Sequence, residues 1–160
     1  MININLILGN IFKESSLESN NFEKLIISRI DLEKRILRKK TNLGTDIGIN
    51  LNSSTKLQHG DIIGNSETKI IVEQMPEKVI SVKLKENNEK IAILLGHIIG
   101  NRHRPIAIKD KMILFPIQED SELEIFQRLF KEIIGYIELK IEEEIFLPHT
   151  SADVHEHWWN

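Results

Sequence analysis

The sequence predicts an α+β protein with a β-rich amino-terminal domain, a carboxy-terminal domain of order β-α-β-β-α-β and a short tail that contains histidines. Three observations indicate this class. Apolar residues mostly alternate up to about residue 75, two later segments have helical spacing, and the strand pattern is lost after Pro148. The predicted domains are therefore 1–75 (β-rich), 76–147, and 148–160 (a flexible tail).

Composition excludes several classes of function. A net charge of -3 and a pI near 6.1 give no broad basic field for nucleic acid or an anionic membrane surface. With no cysteine, disulfides and thiolate chemistry are excluded, so any metal site depends on the six histidines and the carboxylates. The opening apolar segment lacks preceding basic residues, and no segment has membrane-spanning length. We therefore predict a cytoplasmic protein without nucleic-acid or membrane partners.

The amino-terminal half predicts short antiparallel strands. Alternation is clearest in Ile2–Leu8 and in Ile47–Leu51, and the turn-forming segments "LGTD", "NSST", "QHGD" and "GNSE" interrupt the pattern. Pro76 cannot donate to a strand ladder and disfavours helix in the preceding residue. The junction between the domains is therefore predicted at Met75–Lys78.

The next segments predict a strand, a helix and a hairpin. The strand is "EKVISVKL", and the helix begins after Asn88 as N-cap and ends at Gly100. The predicted apolar face of this helix follows the i, i+3, i+4, i+7 spacing and consists of Ile91, Leu94, Leu95 and Ile98. "IAI" and "KMILF" then form a hairpin around "KDK".

The last elements are a second helix and a strand. "SELEIFQRLFKEIIG" shows a capping-box pattern at Ser121 and Glu124, and Gly135 is its predicted end. "YIELKIEEEIF" alternates as a strand does. The resulting order, β-α-β-β-α-β, is that of the ferredoxin-like fold.

His103 is the principal candidate for a metal ligand. Pro105 prevents the first helix from continuing, so His103 is expected to project from the loop at its carboxy-terminal end. That end carries partial negative charge, which suits a cation and disfavours anion binding at Arg102. Arg102 and Arg104 are expected to face carboxylates or carbonyls. His97, about 120° from the apolar stripe, is predicted on the flank or surface.

One imidazole cannot complete a metal site, because nickel, copper and zinc usually take four or more donors. A second chain or a mobile segment must supply the others. The tail "PHTSADVHEHWWN" offers His149, His155 and His157, of which the last two form a chelating "HEH" pair. The alternatives are that His103 is a structural or surface histidine and that the tail histidines are incidental.

The segment "GHIIGNRHRP" resembles the signature of the urease accessory nickel metallochaperone family (UreE), in which a helix runs into Gly-Asn-Arg-His, one further residue and a proline. Further upstream, "DLEKRILRKKT", "LGTDIGINL" and "LQHGDII" are similar to segments of that family's amino-terminal domain and occur in the same order. The resemblance covers nearly the whole chain, and the first 20 or so residues are the least clear.

The resemblance implies a non-enzymatic carrier of Ni²⁺. It implies a homodimer formed through the ferredoxin-like domains, in which His103 of both subunits holds one ion and His149, His155 and His157 supplement the site. Zn²⁺ or Cu²⁺ can bind the same ligands. The implied partners are the urease-maturation GTPase, the other urease accessory proteins and apo-urease. Only three histidines follow Pro148, so large nickel storage is not expected, and "FPIQED" lacks the histidines of an auxiliary site.

Two other classes of function were weighed against the carrier. A small hydrolase of the ferredoxin-like fold could use the Asn-Arg-His-Arg loop as an anion cradle with a general acid or base. The chain lacks a glycine-rich loop before a helix and a serine or cysteine nucleophile beside a histidine, and the helix end has the wrong polarity. The third class is a metal-free interaction module in which His103 is structural.

Overall fold

The computed structural model describes residues 1–13, 22–65 and 67–149. The protein is α+β, with mostly strands and few helices, and it separates into two compact units, Met1–Met75 and Pro76–Asn160. None of the helices in the described residues is long and apolar enough to span a membrane.

In the residues that the structure describes, the first unit has two small sheets and one short helix. Their strand orders are β1-β5-β4 and β2-β6-β7-β3. The elements are β1 (Ile2–Ile4), β2 (Ile7–Asn10), β3 (Glu23–Ile27), α1 (Arg29–Leu32), β4 (Ile36–Lys40), β5 (Asp46–Asn50), β6 (Asp61–Gly64) and β7 (Lys69–Gln74). Alternating residues, such as Ile47 and Ile49 of β5, are buried in a shared apolar core, which is the physical basis of the sequence alternation.

Two features of this unit correct the sequence prediction. Strands β1 and β5 pair in parallel, as do β3 and β7, so the strands are not all antiparallel. Helix α1 interrupts the strands, and the hydroxyl of Ser28 caps it by accepting the N–H of Asp31 at 3.1 Å. The pairing partners are distant in sequence, and a four-residue helix is too short to show a helical period.

The second unit forms one four-stranded antiparallel sheet of order β11-β8-β10-β9. Its elements are β8 (Glu77–Leu84), α2 (Glu89–Asn101), β9 (Ala107–Lys109), β10 (Met112–Pro116), α3 (Glu122–Leu129), a 3₁₀ turn (Ile134–Tyr136) and β11 (Ile137–Glu144). Two positive-φ residues, Asp110 and Lys111, join β9 to β10, which confirms the predicted hairpin.

The two faces of this sheet are covered differently. Buried residues of α2 and α3 pack with Ile80, Val82 and Phe115 on one face. On the other face, Val79 and Leu114 pack with Phe146, which follows β11. The segment after β11 therefore returns across the sheet face that the helices leave open.

The start of α2 is as predicted, but its buried face is rotated. The side chain of Asn88 accepts the N–H of Ile91 at 3.2 Å, which confirms the N-cap. The buried residues are Ile91, Leu95 and Ile99, whereas Leu94 is 37% exposed. The buried positions therefore follow an i, i+4, i+8 series, and they lie in one core with Ile80, Val82 and Phe115 of the sheet.

The predicted cap and end of α3 are wrong. The helix ends at Leu129, and Gly135 lies in the 3₁₀ turn that follows it. Ser121 has helical φ and ψ and, among the described contacts, makes no capping bond from its side chain. The carboxylate of Glu122 instead accepts the backbone N–H groups of Gln118 and Glu119.

Candidate metal centre

His103 occupies the turn that ends α2. Its backbone N–H donates to the carbonyl of Gly100 at 3.0 Å, and the N–H of Arg102 donates to the carbonyl of Ile99 at 3.0 Å. His103 has φ of 55°, in the left-handed region that usually favours glycine or asparagine. The prediction that Gly100 ends the helix is wrong, because α2 continues through it and His103 makes the turn.

The electrostatics at this position suit a cation. The carbonyl end of a helix carries about half a negative charge, and α2 is 13 residues long. Its last turn, which the structure describes in full, holds no basic residue. His103 is exposed at this end of the helix.

The side chain of Arg104 is partly buried and contacts the protein. Its Nη1 donates to the carbonyl of Pro116 at 2.7 Å, and its Nη2 donates to Oε1 of Glu122 at 2.6 Å. The guanidinium carbon also lies 5.6 Å from the centroid of the Phe126 ring. These contacts confirm that Arg104 faces a carbonyl and a carboxylate; the same expectation for Arg102 stays a prediction.

Glu122 stays ionised in these surroundings. Burial alone would raise the pKa of its carboxyl group, but the backbone N–H of Gln118 and the guanidinium of Arg104 together hold that pKa below its ordinary value. Glu122 is not among the site residues that the sequence predicted. The sequence showed only an acidic residue in the first turn of a predicted helix, which usually indicates no more than a favourable interaction with the helix dipole.

His97 is exposed on α2, as predicted. Its Nε2 lies 3.3 Å from Nδ2 of Asn101, one turn further along the helix. This pair explains His97 as a surface residue that contacts its own helix. His97 therefore provides a matched control for the role of His103.

The tail histidines divide into one described and two undescribed residues. The backbone N–H of His149 donates to the carbonyl of Ile106 at 2.7 Å, and the His149 side chain is exposed. Ile106 lies three residues after His103, so the segment leading to the tail meets the chain that leaves the His103 loop. His155 and His157 lie outside the described residues.

Phe146 anchors the chain between β11 and His149. It is 1% exposed and packs with Val79 and Leu114, so it holds the chain against the sheet immediately before His149. Phe146 was predicted to lie in the last strand and had no predicted role. In the structure, β11 ends at Glu144, two residues before it. A large aromatic residue directly after an alternating strand was the only available signal.

The described residues of one chain do not assemble a complete metal site. Within 1–13, 22–65 and 67–149, no group of three or more histidine, aspartate or glutamate side chains could hold an ion. The fold brings the backbone of His149 next to Ile106, the third residue after His103.

Comparison with known proteins gives concordant results. The family model described as "UreE urease accessory protein, N-terminal domain" matches residues 4–74. The urease accessory protein UreE of Streptococcus vestibularis is 30% identical over 148 residues, which cover 91% of this chain and 93% of that protein. UreE of Staphylococcus epidermidis strain ATCC 35984 is 36% identical over 119 residues, which cover 74% and 77%, respectively. UreE of Staphylococcus aureus strain Newman is 36% identical over 110 residues, which cover 68% and 72%.

Proposed function

Since the chain belongs to the UreE family of urease accessory proteins, we propose that it is a nickel-binding metallochaperone that delivers Ni²⁺ for assembly of the urease active site. Proteins of this family are accessory proteins rather than enzymes. The observation that carries the proposal is the position of His103, which is exposed at the negative end of α2 in a left-handed turn. A neutral imidazole there is a suitable donor for Ni²⁺, and also for Zn²⁺ or Cu²⁺.

We propose that the site forms at the interface of a homodimer, with His103 contributed by both subunits. One chain's described residues lack the remaining donors, and the outer face of α2 is suited to close approach. A Cβ built at Gly96 or Gly100 meets no described atom within 4 Å, and Ile93 is 71% exposed. Glycine inside a helix costs roughly 1 kcal/mol relative to alanine, a cost that a closely packed partner would explain.

We further propose that residues 76–147 form a ferredoxin-like domain and residues 148–160 a tail whose His149, His155 and His157 supplement the site. The order β-α-β-β-α-β, and a sheet in which β8 and β10 lie between β11 and β9, support the domain proposal. The hydrogen bond from the N–H of His149 to the carbonyl of Ile106 supports the tail proposal, because Ile106 is only three residues after His103.

The proposed partners are those of urease maturation. They are the accessory GTPase that receives the nickel, the other urease accessory proteins and apo-urease, and the proposed location is the cytoplasm. The names of the relatives support this role, since each is a urease accessory protein.

The test is nickel binding by calorimetry, comparing His103→Ala with His97→Ala. Both residues are exposed imidazoles on or next to α2, but only His103 lies in the turn. We expect the dimer to bind an ion tightly, His103→Ala to lose that site and His97→Ala to retain it. Unchanged affinity in His103→Ala would remove the basis of the proposal.

A further inference from the structure

We propose that Arg104 is a positioning residue, which fixes the His103 loop to the amino-terminal end of α3 and thereby orients His103 for metal binding. The inference rests on the proposed function of His103. Arg104 itself does not contact the metal, because its guanidinium is turned towards Pro116 and Glu122.

The guanidinium connects two separate elements. Nη1 donates to the carbonyl of Pro116, the last residue of β10, at 2.7 Å, and Nη2 donates to Glu122, the first residue of α3, at 2.6 Å. Both lengths are in the range of charge-assisted hydrogen bonds. An arginine can hold two acceptors in fixed directions, whereas a lysine presents a single point charge.

The acceptor on α3 is fixed as well. One oxygen of Glu122 binds Arg104, and the other accepts the backbone N–H groups of Gln118 at 2.5 Å and Glu119 at 3.2 Å. The side chains of Arg104 and Glu122 are 30% and 15% exposed, so solvent screens this pair less than a surface ion pair. The link therefore runs from the loop, through both carboxylate oxygens, to the backbone before α3.

The guanidinium of Arg104 makes a third contact, with the ring of Phe126. The guanidinium carbon lies 5.6 Å from the ring centroid of Phe126, which is buried in the core between helices and sheet. Arginine favours such contact with aromatic rings. Arg104 is thus held by a carbonyl, a carboxylate and an aromatic ring.

This arrangement fixes the backbone on both sides of His103. On one side, the N–H of His103 is bonded to the carbonyl of Gly100. On the other side, Arg104 is clamped, and Pro105 has a restricted φ. A metal ligand held in advance loses less conformational entropy on binding, so the clamp should raise the affinity for the ion.

The experiment measures Ni²⁺ affinity of the full-length chain by calorimetry in a double-mutant cycle of Arg104→Ala and Glu122→Ala. Loss of groups that orient a ligand commonly lowers metal affinity by 10–100-fold, so we expect roughly a tenfold loss in each single variant. The double variant should bind no more weakly than either single variant, because the two residues act as one unit.

Three controls separate positioning from general stability and charge. Arg102→Ala removes the positive charge on the other side of His103 and should retain the affinity. Ile133→Val removes one carbon from the core cluster that also contains Phe126, and it should retain the affinity as well. Glu122→Gln keeps the size of the side chain and one carbonyl acceptor, so it should fold and show a smaller loss. Thermal unfolding of each variant without metal shows whether affinity merely follows stability.

Several results would overturn the inference. These are wild-type affinity in Arg104→Ala, additive losses in the double variant, or an equal loss in Ile133→Val. Failure of the proposed function looks different, because His103→Ala would then bind nickel as the wild type does. If His103→Ala loses the site while Arg104→Ala keeps it, only the positioning role is wrong.

Discussion

The left-handed turn at His103 leads to a stability prediction that is independent of metal. We expect His103→Gly to be more stable than His103→Ala, whereas both variants lose the proposed nickel site. At φ of 55°, a residue with a Cβ is strained by roughly 1–2 kcal/mol, and glycine is not. Glycine loses about 0.5–1 kcal/mol more backbone entropy on folding. The net advantage of His103→Gly should therefore lie between about 0 and 1.5 kcal/mol, with a central value of about 0.75 kcal/mol.

The comparison within α2 has the opposite sign. In a helix interior, glycine is about 1 kcal/mol less favourable than alanine, so Ala92→Gly should destabilise the same unit by about that amount. Urea unfolding of each variant without metal, followed by circular dichroism, gives the free energies of unfolding. If His103→Gly proves no more stable than His103→Ala while Ala92→Gly behaves as expected, the left-handed turn is not a source of strain and the reasoning fails.

Truncation after Leu147 should leave the fold intact, because Phe146 is retained. It should lower nickel affinity or capacity and keep a residual site at His103. Unchanged binding in calorimetry would exclude the tail as a ligand. Nickel affinity should fall steeply from about pH 8 to pH 6, with protons released near the ordinary imidazole pKa of about 6.5, since each ligating histidine must be neutral. Calorimetry in buffers of different ionisation enthalpy measures this release, and a flat profile would argue against histidine ligands. Glu122 should stabilise the fold above its unfolded pKa of about 4.3, with this contribution lost as pH falls through its lower folded pKa. Acid unfolding of Glu122→Gln should lack that component, and a wild-type profile would contradict the assigned hydrogen bonds.

Local signals account for the elements that the sequence predicted. Asn88 caps α2 through its own side chain, and the alternation in Ile137–Glu144 follows directly from one buried face of β11. Parallel pairing of β1 with β5 could not be predicted in this way, because the partners lie about 45 residues apart and either direction satisfies the same alternation.

The two wrong predictions near the candidate site, the end of α2 and the cap of α3, have a common cause. Gly100 was the expected helix end and Ser121 the expected cap, since both are locally favourable residues. In the structure, His103 makes the turn and Glu122 accepts the backbone N–H groups before α3. Arg104 and Glu122 are 18 residues apart, and only the tertiary fold brings them to 2.6 Å. The sequence predicted that Arg104 would face a carboxylate or a carbonyl, but it could not identify Glu122 and Pro116 as these acceptors.

The position of Phe146 also limits the distance that a proposed tail ligand can reach from the sheet. With His149 bonded to Ile106, the tether starts beside the loop and not at the end of β11. At up to about 3.6 Å per residue, the six residues from His149 to His155 can span at most about 22 Å, and the three from His103 to Ile106 at most about 11 Å. Donors confined within such radii have effective concentrations on the order of millimolar. If the proposed ligands are correct, imidazoles on so short a segment would keep the site occupied even though each bond is weak, and the ion could still be released quickly without any preformed cage.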